Sequence, residues 1–394
     1  MYSIRVGMLK QWQFYSFFLY AITVNAELIE HKEHIMNTDH ASFTSTIFEK
    51  IEHKTRITPQ EALELYTNVP IGTLGQLADK KRESISGNNI YYIKNIHIEP
   101  TNICQNKCKF CSYRHDENDK ESYKLNKNQI LHRISTAKDI SEIHIVGGLH
   151  KDYNLEFYTD LFKTIRDQYP NIHRKGLTAE EIKYIAELAD KSIKETLVEL
   201  INSGLESMPG GGAEIFDAQI RPQICPDKLT GDEWLSIHKT AHELGISTNA
   251  TILYGHIESI EHRIDHLNQL RELQDKTGGF NAFIPLKYKL AKNALGIEKE
   301  TPLIDDLRMF AISRIFLDNI AHIKAYWPML GFDNALLMLS FGANDMDGTI
   351  AQSTKIYSST GNISEHGITT NKLIDAITER GKKPIERDSL YNHI

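Results

Sequence analysis

Three of the four cysteines of this sequence, Cys104, Cys108 and Cys111, lie within eight residues of one another. Their spacing, Cys-x3-Cys-x2-Cys, places three sulfur ligands on one short loop, which is typical of a metal site and not of a disulfide framework. Three thiolates can hold three irons of a 4Fe–4S cube, and without a fourth cysteine nearby one iron stays open for an exogenous ligand. The sequence therefore predicts a reactive iron–sulfur centre.

A zinc site is the alternative for the same loop, because His115 could complete a closed Cys3His set. The chain would then be a zinc-stabilised binding protein without catalytic activity. The basic residues Lys107, Lys109 and Arg114 are expected to favour thiolates and to offset the negative charge of a cluster. The distant Cys225 is expected to be a packed thiol.

The composition excludes one large class of partners. The 394-residue chain is 41% apolar and 25% charged, as in ordinary globular proteins. Its 45 Lys and Arg residues against 52 Asp and Glu give a net charge of −7, so no overall basic field attracts a nucleic-acid backbone. We therefore expect neither DNA nor RNA as a partner.

An uncharged, apolar stretch, Gln11–Ala26, follows Arg5 and Lys10 and has the outline of a secretory signal. It is short for a membrane span. Either it exports or anchors the protein, or the chain is extended upstream of a start at Met36. We favour the second interpretation, since an iron–sulfur centre needs a reducing compartment. We therefore expect a cytoplasmic protein without stable membrane insertion, in which residues 1–55 are a flexible or spurious extension.

The elements that must position the cysteine loop alternate between helix and strand. Thr58, Pro59 and Glu61 form a capping box with proline at the first helical position, and similar boxes begin at Thr178, Ser192 and Thr230. Between the helical segments lie eight short β-rich runs. They are Tyr92–Glu99, Glu142–Val146, Arg174–Leu177, Leu205–Met208, Ser247–Leu253, Phe280–Leu286, Ile320–Trp327 and Leu337–Phe341.

This alternation predicts an α/β protein whose residues 56–350 form a (β/α)8 TIM-type barrel with N- and C-terminal extensions. An open doubly wound sheet is the alternative. Residues 351–394 are expected to add a helical extension packed on the barrel, with a helix at Asn371–Arg380. The cysteine loop directly follows the first strand, so it lies at the carboxyl ends of the strands, where barrel enzymes carry their active sites.

The stretch Glu99–Arg114, with its Cys-x3-Cys-x-Phe-Cys core, resembles the radical S-adenosylmethionine (SAM) superfamily. Further stretches are similar to the aminofutalosine synthase family of the futalosine route to menaquinone, and the resemblance runs from about Arg56 to the C-terminus. These stretches are His144–His150, Ser207–Phe216, Asn249–His256, Leu270–Phe280 and Asn319–Pro328. The related dehypoxanthine futalosine cyclases and deazaflavin-forming synthase subunits share the loop, but His-Ile-Val-Gly-Gly and Ile-Lys-Ala-Tyr-Trp favour the synthase.

The resemblance implies a transferase that holds a 4Fe–4S cluster on three cysteines and binds SAM at the open iron. SAM is then a consumed co-substrate, whose 5′-deoxyadenosyl radical adds to the vinyl carbon of 3-[(1-carboxyvinyl)oxy]benzoate. The expected products are 6-amino-6-deoxyfutalosine, methionine and bicarbonate. The implied partners are this carboxylated enol ether and an electron donor such as flavodoxin or ferredoxin.

Several residues near SAM follow from the same resemblance. Gly147 and Gly148 would meet its methionyl amino group, although a tight turn explains such a pair equally well. Glu214 would accept hydrogen bonds from ribose or ammonium groups, or is an ordinary carboxylate at a helix start. Phe110, Tyr113 and Ile284 would lie near the cluster and the adenine, or are core residues.

Substrate contacts are expected from His150 and His256, which follow glycine-containing strand ends, and from Lys324 on the seventh strand. Lys324 and Tyr326 alternate with Ala325, so both can point into the barrel. A buried lysine is costly unless it meets an anion, and a substrate carboxylate would supply one. Two further cations, Lys287 and Arg271, are candidates for binding the substrate carboxylates.

Overall fold

The computed structural model describes residues 38–291, 294–350 and 367–394, with side chains from residue 45 onward. The chain divides into two compact units, Met1–Thr55 and Arg56–Ile394. The described part of the first unit contains helix α1, Thr38–Glu52. The signal-like stretch Gln11–Ala26 and Met36 lie outside the described residues. In the described part of the chain, no helix combines the length and apolar character needed to cross a membrane.

The second unit is built around a parallel sheet of seven strands that pair in chain order. Its strands are β2 Asn95–Ile98, β3 Glu142–Ile145, β4 His173–Gly176, β5 Ser207–Met208, β6 Ser247–Tyr254, β7 Phe280–Lys287 and β8 His322–Ile323. A second, three-stranded sheet has the order β10-β1-β9. Its strands are β1 Asn89–Ile93, β9 Asp345–Gly348 and β10 Lys383–Glu386.

The helices of this unit lie before β1 or between later strands, in a β-α-β succession. They are α2 Pro59–Asn68, α3 Ile71–Ser86, α4 Lys127–Thr136, α5 Leu155–Gln168, α6 Ala179–Leu188, α7 Ile193–Ser203, α8 Arg221–Ile224, α9 Gly231–Glu243, α10 Ile260–Thr277, α11 Leu303–Phe316, α12 Trp327–Leu330, α13 Phe332–Met338 and α14 Thr370–Thr378. The predicted capping boxes at Thr58, Thr178, Ser192 and Thr230 are confirmed, each with reciprocal side-chain and backbone hydrogen bonds.

The large sheet curls around a cavity, which side chains from one face of its strands line together. His97, His144 and Lys175 occupy matching positions on β2, β3 and β4, and all three line this cavity together with Thr251 of β6 and Ile284 of β7. The predicted α/β barrel architecture is therefore confirmed, in the form of a seven-stranded half-barrel.

Three strand predictions need correction. Leu337–Phe341 is not a strand: α13 occupies Phe332–Met338, and residues 339–341 form the turn that follows it. The next strand of the chain is β9, at Asp345–Gly348. The predicted first strand is divided at Lys94 into β1 and β2, which belong to different sheets. The seventh predicted strand is shortened to His322–Ile323.

The C-terminal helix predicted at Asn371–Arg380 is confirmed as α14. The charged residues after it were not expected to form a strand. They contain β10, whose Lys383 to Glu386 pair in parallel with Asn89 to Tyr92 of β1. Their charged side chains are tolerated because β10 is an edge strand and its side chains are only partly buried.

Candidate active site

The three clustered cysteines line one cavity of about 280 Å³ at the carboxyl ends of the strands. Their loop begins after β2 and is fixed by its backbone: Cys104 N donates to His115 O at 3.3 Å, and Gln105 N donates to Leu149 O at 3.1 Å. All three thiols are free and partly exposed to the cavity. The loop therefore presents three thiols to a ligand-sized space, where the sequence predicts an iron–sulfur cluster.

The closed zinc site is not assembled around this loop. The His115 ring lies 3.4 Å from Asp119 and 3.6 Å from Glu121, and it does not line the cavity. Among the described residues, no three His, Cys, Asp or Glu side chains are grouped to hold a single metal ion. Three thiols on one short loop, all lining the same cavity, are the ligand type that a 4Fe–4S cluster takes, so the donor set fits a cluster.

The cysteine loop rests on the segment Ile224–Lys228. Lys109 N donates to Ile224 O at 2.9 Å, and Lys107 N donates to Asp227 Oδ2 at 2.8 Å. The Cys225 side chain is buried beneath the loop, with its thiol 3.5 Å from Arg221 O. This is the packed role that the sequence predicted for Cys225.

Lys228 is the cation next to the cysteines, and sequence reasoning missed it. Its ammonium lies 5.5 Å from the centre of the Phe110 ring and 2.5 Å from Glu214 Oε1. Burial raises the pKa of the Cys108 thiol well above its usual value, and the Lys228 charge opposes this effect. Lys228 follows Cys225 by three residues, but no local pattern indicates that this segment returns to the cysteine loop.

The glycine pair Gly147–Gly148 also lines the cavity, and close packing explains its second member. A Cβ at Gly148 would lie 2.1 Å from Ile103 O, against the cysteine loop. Gly147 N donates to Glu181 Oε1 at 3.0 Å. Burial raises the pKa of Glu181 to about 7.

The glycine-rich loop after β5 forms another part of the wall, together with Glu214. A Cβ at Gly210 would lie 2.6 Å from Asn249 O, so only glycine fits there. The buried Arg221 guanidinium donates to Gly212 O at 2.8 Å and to Ala213 O at 2.5 Å. The loop is therefore held rigidly from behind.

The remaining residues expected near SAM lie on the same cavity. Phe110, Tyr113 and Ile284 all line it. The Tyr113 hydroxyl is already committed, because it donates to Thr101 O at 2.9 Å and lies 2.6 Å from the Tyr123 hydroxyl. Its ring is therefore the part that faces a ligand.

Two expected substrate contacts, His150 and His256, do not line the cavity. His256 Nδ1 lies 3.0 Å from Glu258 Oε2 and its Nε2 lies 3.0 Å from Leu253 O, so the buried ring fixes its own loop. His150 turns towards Glu117, at 3.5 Å, and Asp152. The direction of a histidine side chain at a strand end depends on the conformation of the following loop. The position of the residue in the sequence does not determine that conformation.

Two candidate cations are also directed elsewhere. Lys287 Nζ donates to Thr301 O at 2.6 Å and to Asp306 Oδ2 at 2.8 Å. The Arg271 guanidinium stacks 3.6 Å from the centre of the Phe316 ring and donates to Ile57 O. Neither residue lines the cavity.

Lys324 does line the cavity together with Tyr326, in the alternating arrangement that the sequence predicted. It is not unpaired, however, since Nζ donates to Asp347 Oδ1 at 2.6 Å. A second buried lysine that sequence reasoning missed, Lys175, donates to Glu142 Oε2 at 2.6 Å. Alternation along β4 places Lys175 on one face, but only the curl of the sheet identifies that face as the cavity.

Comparisons with known proteins agree with this site. Residues 98–270 match the radical SAM superfamily, and residues 277–394 match the CofH/MqnC C-terminal region. The chain is 37% identical to the aminodeoxyfutalosine synthase of Thermus thermophilus, over 88% of this chain and 95% of that protein. It is 39% identical to the 5-amino-6-(D-ribitylamino)uracil–L-tyrosine 4-hydroxyphenyl transferase of Methanothermobacter thermautotrophicus, over 86% of this chain and 94% of that protein.

A third relative and one solved structure are also similar to this chain. The cyclic dehypoxanthine futalosine synthase of Streptomyces coelicolor is 36% identical, over 86% of each chain. The FeFe-hydrogenase maturase HydG superposes with a TM-score of 0.68 at 18% sequence identity, over 87% of this chain and 76% of that chain. At this identity the structural likeness supports the fold alone.

Proposed function

Because the chain belongs to the radical SAM superfamily, we propose that it is an aminodeoxyfutalosine synthase that uses SAM as a co-substrate. One observation carries the proposal: the similarity to the Thermus thermophilus synthase covers 95% of that protein, and it includes the cysteine loop on the cavity. The reaction joins SAM, 3-[(1-carboxyvinyl)oxy]benzoate and water to give 6-amino-6-deoxyfutalosine, methionine and bicarbonate.

In this proposal Cys104, Cys108 and Cys111 hold a 4Fe–4S cluster. When bound, the cluster supplies the electron that cleaves SAM into methionine and the 5′-deoxyadenosyl radical. The 5′-deoxyadenosyl radical adds to the vinyl carbon of the enol ether, and the resulting substrate radical rearranges. The substrate gives up one electron when the enolpyruvyl carboxyl group leaves as bicarbonate. We assign the first electron to a flavodoxin or ferredoxin in the cytoplasm, because such a cluster needs a reducing compartment.

The chain's own residues bind and orient the reactants. The backbone at Gly147 and Gly148 and the Glu214 carboxylate border the space beside the cysteines, where we place SAM. The rings of Phe110 and Tyr113 and the side chain of Ile284 provide apolar surface for the adenosyl group. Holding the alkene against the adenosyl carbon in a closed cavity makes addition faster than side reactions with water or reductant.

The decisive test is anaerobic incubation of the cluster-loaded protein with SAM, dithionite and the enol ether, followed by mass spectrometry. The expected result is a product that retains the adenosine of SAM. The cyclase activity would instead release 5′-deoxyadenosine and cyclise dehypoxanthine futalosine. The archaeal-type transferase activity would consume tyrosine and the ribitylaminouracil. The proposal would be overturned if the protein showed either of these two activities with the corresponding substrate and formed no product from the enol ether.

A further inference from the structure

Two buried lysines, Lys175 and Lys324, line the same cavity as the cysteines. Lys175 lies on β4, opposite His144, and Lys324 directly follows β8. Each ammonium contacts one carboxylate of its own: Lys175 Nζ lies 2.6 Å from Glu142 Oε2, and Lys324 Nζ lies 2.6 Å from Asp347 Oδ1. Glu142 is the first residue of β3, so the carboxylate that binds Lys175 comes from the amino end of its strand, whereas the cysteine loop follows the carboxyl end of β2. We call Lys175, Lys324, Glu142 and Asp347 the floor of the cavity.

The hydrogen bonds of this floor leave donors in excess. An ammonium group has three N–H donors, and among the described residues each of these two lysines uses only one of them. His144 Nε2 is buried without a partner among the described residues, and its tautomer decides whether it donates or accepts. Asp347 Oδ2 is a buried acceptor without a partner in the same part of the chain. A ligand group that reaches the floor must therefore offer several acceptor sites, as a carboxylate does.

Both ammonium groups line the same cavity, so their positive charges repel each other. Burial lowers the pKa of Lys175, and the charges of Lys324 and Arg387 lower it further against the attraction of Glu142. An anion bound between the two lysines would relieve this repulsion. The floor therefore combines an excess of donors with a local electrostatic reason to accept negative charge.

Both lysine–carboxylate pairs are held by the C-terminal tail. Ser389 Oγ donates to Glu142 Oε2 at 2.6 Å, the same oxygen that Lys175 contacts. Arg387 Nε donates to Asp345 Oδ2 at 2.7 Å. The other oxygen of Asp345 accepts the Asp347 backbone N–H at 2.6 Å. Ser389 thus contacts the Glu142 carboxylate that binds Lys175. Arg387 contacts Asp345, which accepts the backbone N–H of Asp347, the partner of Lys324.

We propose that Lys175 and Lys324 form the binding site for the ring carboxylate of the aromatic enol ether, and that Ser389 and Arg387 are positioning residues for them. The assignment to the ring carboxylate rests on the proposed function: the alkene must meet the adenosyl group near the cysteines, so the distant end of the substrate reaches the floor. The enolpyruvyl carboxyl group, which leaves, stays near the reacting end.

The test compares two ligands, the enol ether and its analogue with a ring carboxamide in place of the ring carboxylate. Affinities are measured anaerobically on the cluster-loaded protein by calorimetry, with SAM binding followed by the spectroscopic signal of the cluster. The unmodified protein should bind the acid about ten- to a hundred-fold more tightly than the amide, as expected for a charge-assisted hydrogen bond. Lys175→Met and Lys324→Met should each lose most of this preference and keep SAM binding.

Two further variants separate binding from folding. Lys175→Met leaves the buried Glu142 carboxylate without its cation, so a Glu142→Gln/Lys175→Met double variant is measured as well. Lys287→Met is the matched control, because Lys287 makes a comparable ion pair with Asp306 at 2.8 Å but does not line the cavity. It should keep the full preference for the acid.

The positioning role is tested with Ser389→Ala, which preserves every charge of the floor. It should reduce the preference for the acid several-fold, raise KM for the acid more than it lowers kcat, and leave the affinity for the amide unchanged. Equal affinity of the unmodified protein for acid and amide, or an undiminished preference in both lysine variants, would overturn the inference. If the unmodified protein turns over no enol ether at all, the proposed function fails instead.

Discussion

The Lys228 ammonium lies 2.5 Å from Glu214 Oε1, so a cation on the cavity of the cysteine loop is held by a carboxylate that lines the same cavity. The pair joins the glycine-rich loop after β5 to the segment that supports the cysteines. The positive charge of Lys228 and the negative charge of Glu214 balance each other before any ligand binds, and this pairing keeps the nearly buried Lys228 ionised. Lys228 can therefore act on the negative charge of a bound cluster without reorganising.

Lys228→Met should make the cluster harder to reduce. A nearby positive charge stabilises the more negative, reduced cluster, so its removal shifts the reduction potential to a more negative value. The measurement is an anaerobic redox titration followed by electron paramagnetic resonance. Lys228→Arg should restore most of the potential. As a control, Lys239→Met removes an exposed lysine paired with Glu243 and should change nothing. An unchanged potential in Lys228→Met would contradict the assignment.

Replacement of Cys104, Cys108 or Cys111 by Ala should abolish cluster binding and leave the barrel folded, because its core lies in the strands and their covering helices. Cys225→Ala is the matched control, since it removes the fourth cysteine, which is buried beneath the loop. It should keep its iron and lose on the order of 1 kcal/mol of stability through packing. Iron and sulfide analysis, with circular dichroism for the fold, checks both. Loss of iron from Cys225→Ala but not from Cys108→Ala would refute the ligand set.

The features that could be predicted from the sequence are local ones. The cysteine spacing and the capping boxes each lie within a few residues, and the hydrogen bonds of a capping box are made inside one helical turn. The helix at Phe332–Met338 was mistaken for a strand because a short apolar run gives the same signal in both structures.

Contacts that depend on the tertiary fold could not be predicted. Lys175 and Glu142 are 33 residues apart, and they meet only because β3 and β4 pair in one particular register. Lys324 lines the cavity, as its alternation with Ala325 indicated, but its partner Asp347 lies in β9, which was not predicted as a strand. His256 was misplaced because the Glu258 carboxylate, two residues away, holds the ring inside its loop.

Gly148→Ala should disturb the cysteine loop. The added methyl group would lie 2.1 Å from Ile103 O, which is backbone and can yield only if the loop moves. We expect a loss of about 1–3 kcal/mol from overpacking, together with weaker cluster binding. Gly72→Ala is the control, because no atom lies within 4 Å of a Cβ there and the residue is inside α3. Urea unfolding and iron content report the two effects, and full cluster loading with unchanged stability would disprove the close contact.

Glu181 should make stability depend on pH in a direction opposite to that of an ordinary paired carboxylate. Burial raises its pKa to about 7 in the folded state, whereas an unfolded glutamate ionises near pH 4.3. The unfolded chain therefore ionises first as pH rises, and stability falls between about pH 4.5 and pH 7, by roughly 3 kcal/mol in total. Glu181→Gln should remove this fall, which is measured as the difference in unfolding free energy between the two proteins at each pH.

The matched control is Glu195→Gln, at the same capping-box position of the next helix. Hydrogen bonds from Ser192 lower the pKa of Glu195, so its contribution is present above the unfolded pKa and is lost as pH falls. The two substitutions should thus change the pH profile with opposite signs. Burial decides the difference, because the Glu181 carboxyl is buried and bonded to Gly147 N while Glu195 faces solvent. A Glu181→Gln effect that is the same at pH 5 and pH 8 would show that Glu181 is ionised throughout, and that its bond to Gly147 is made by a carboxylate.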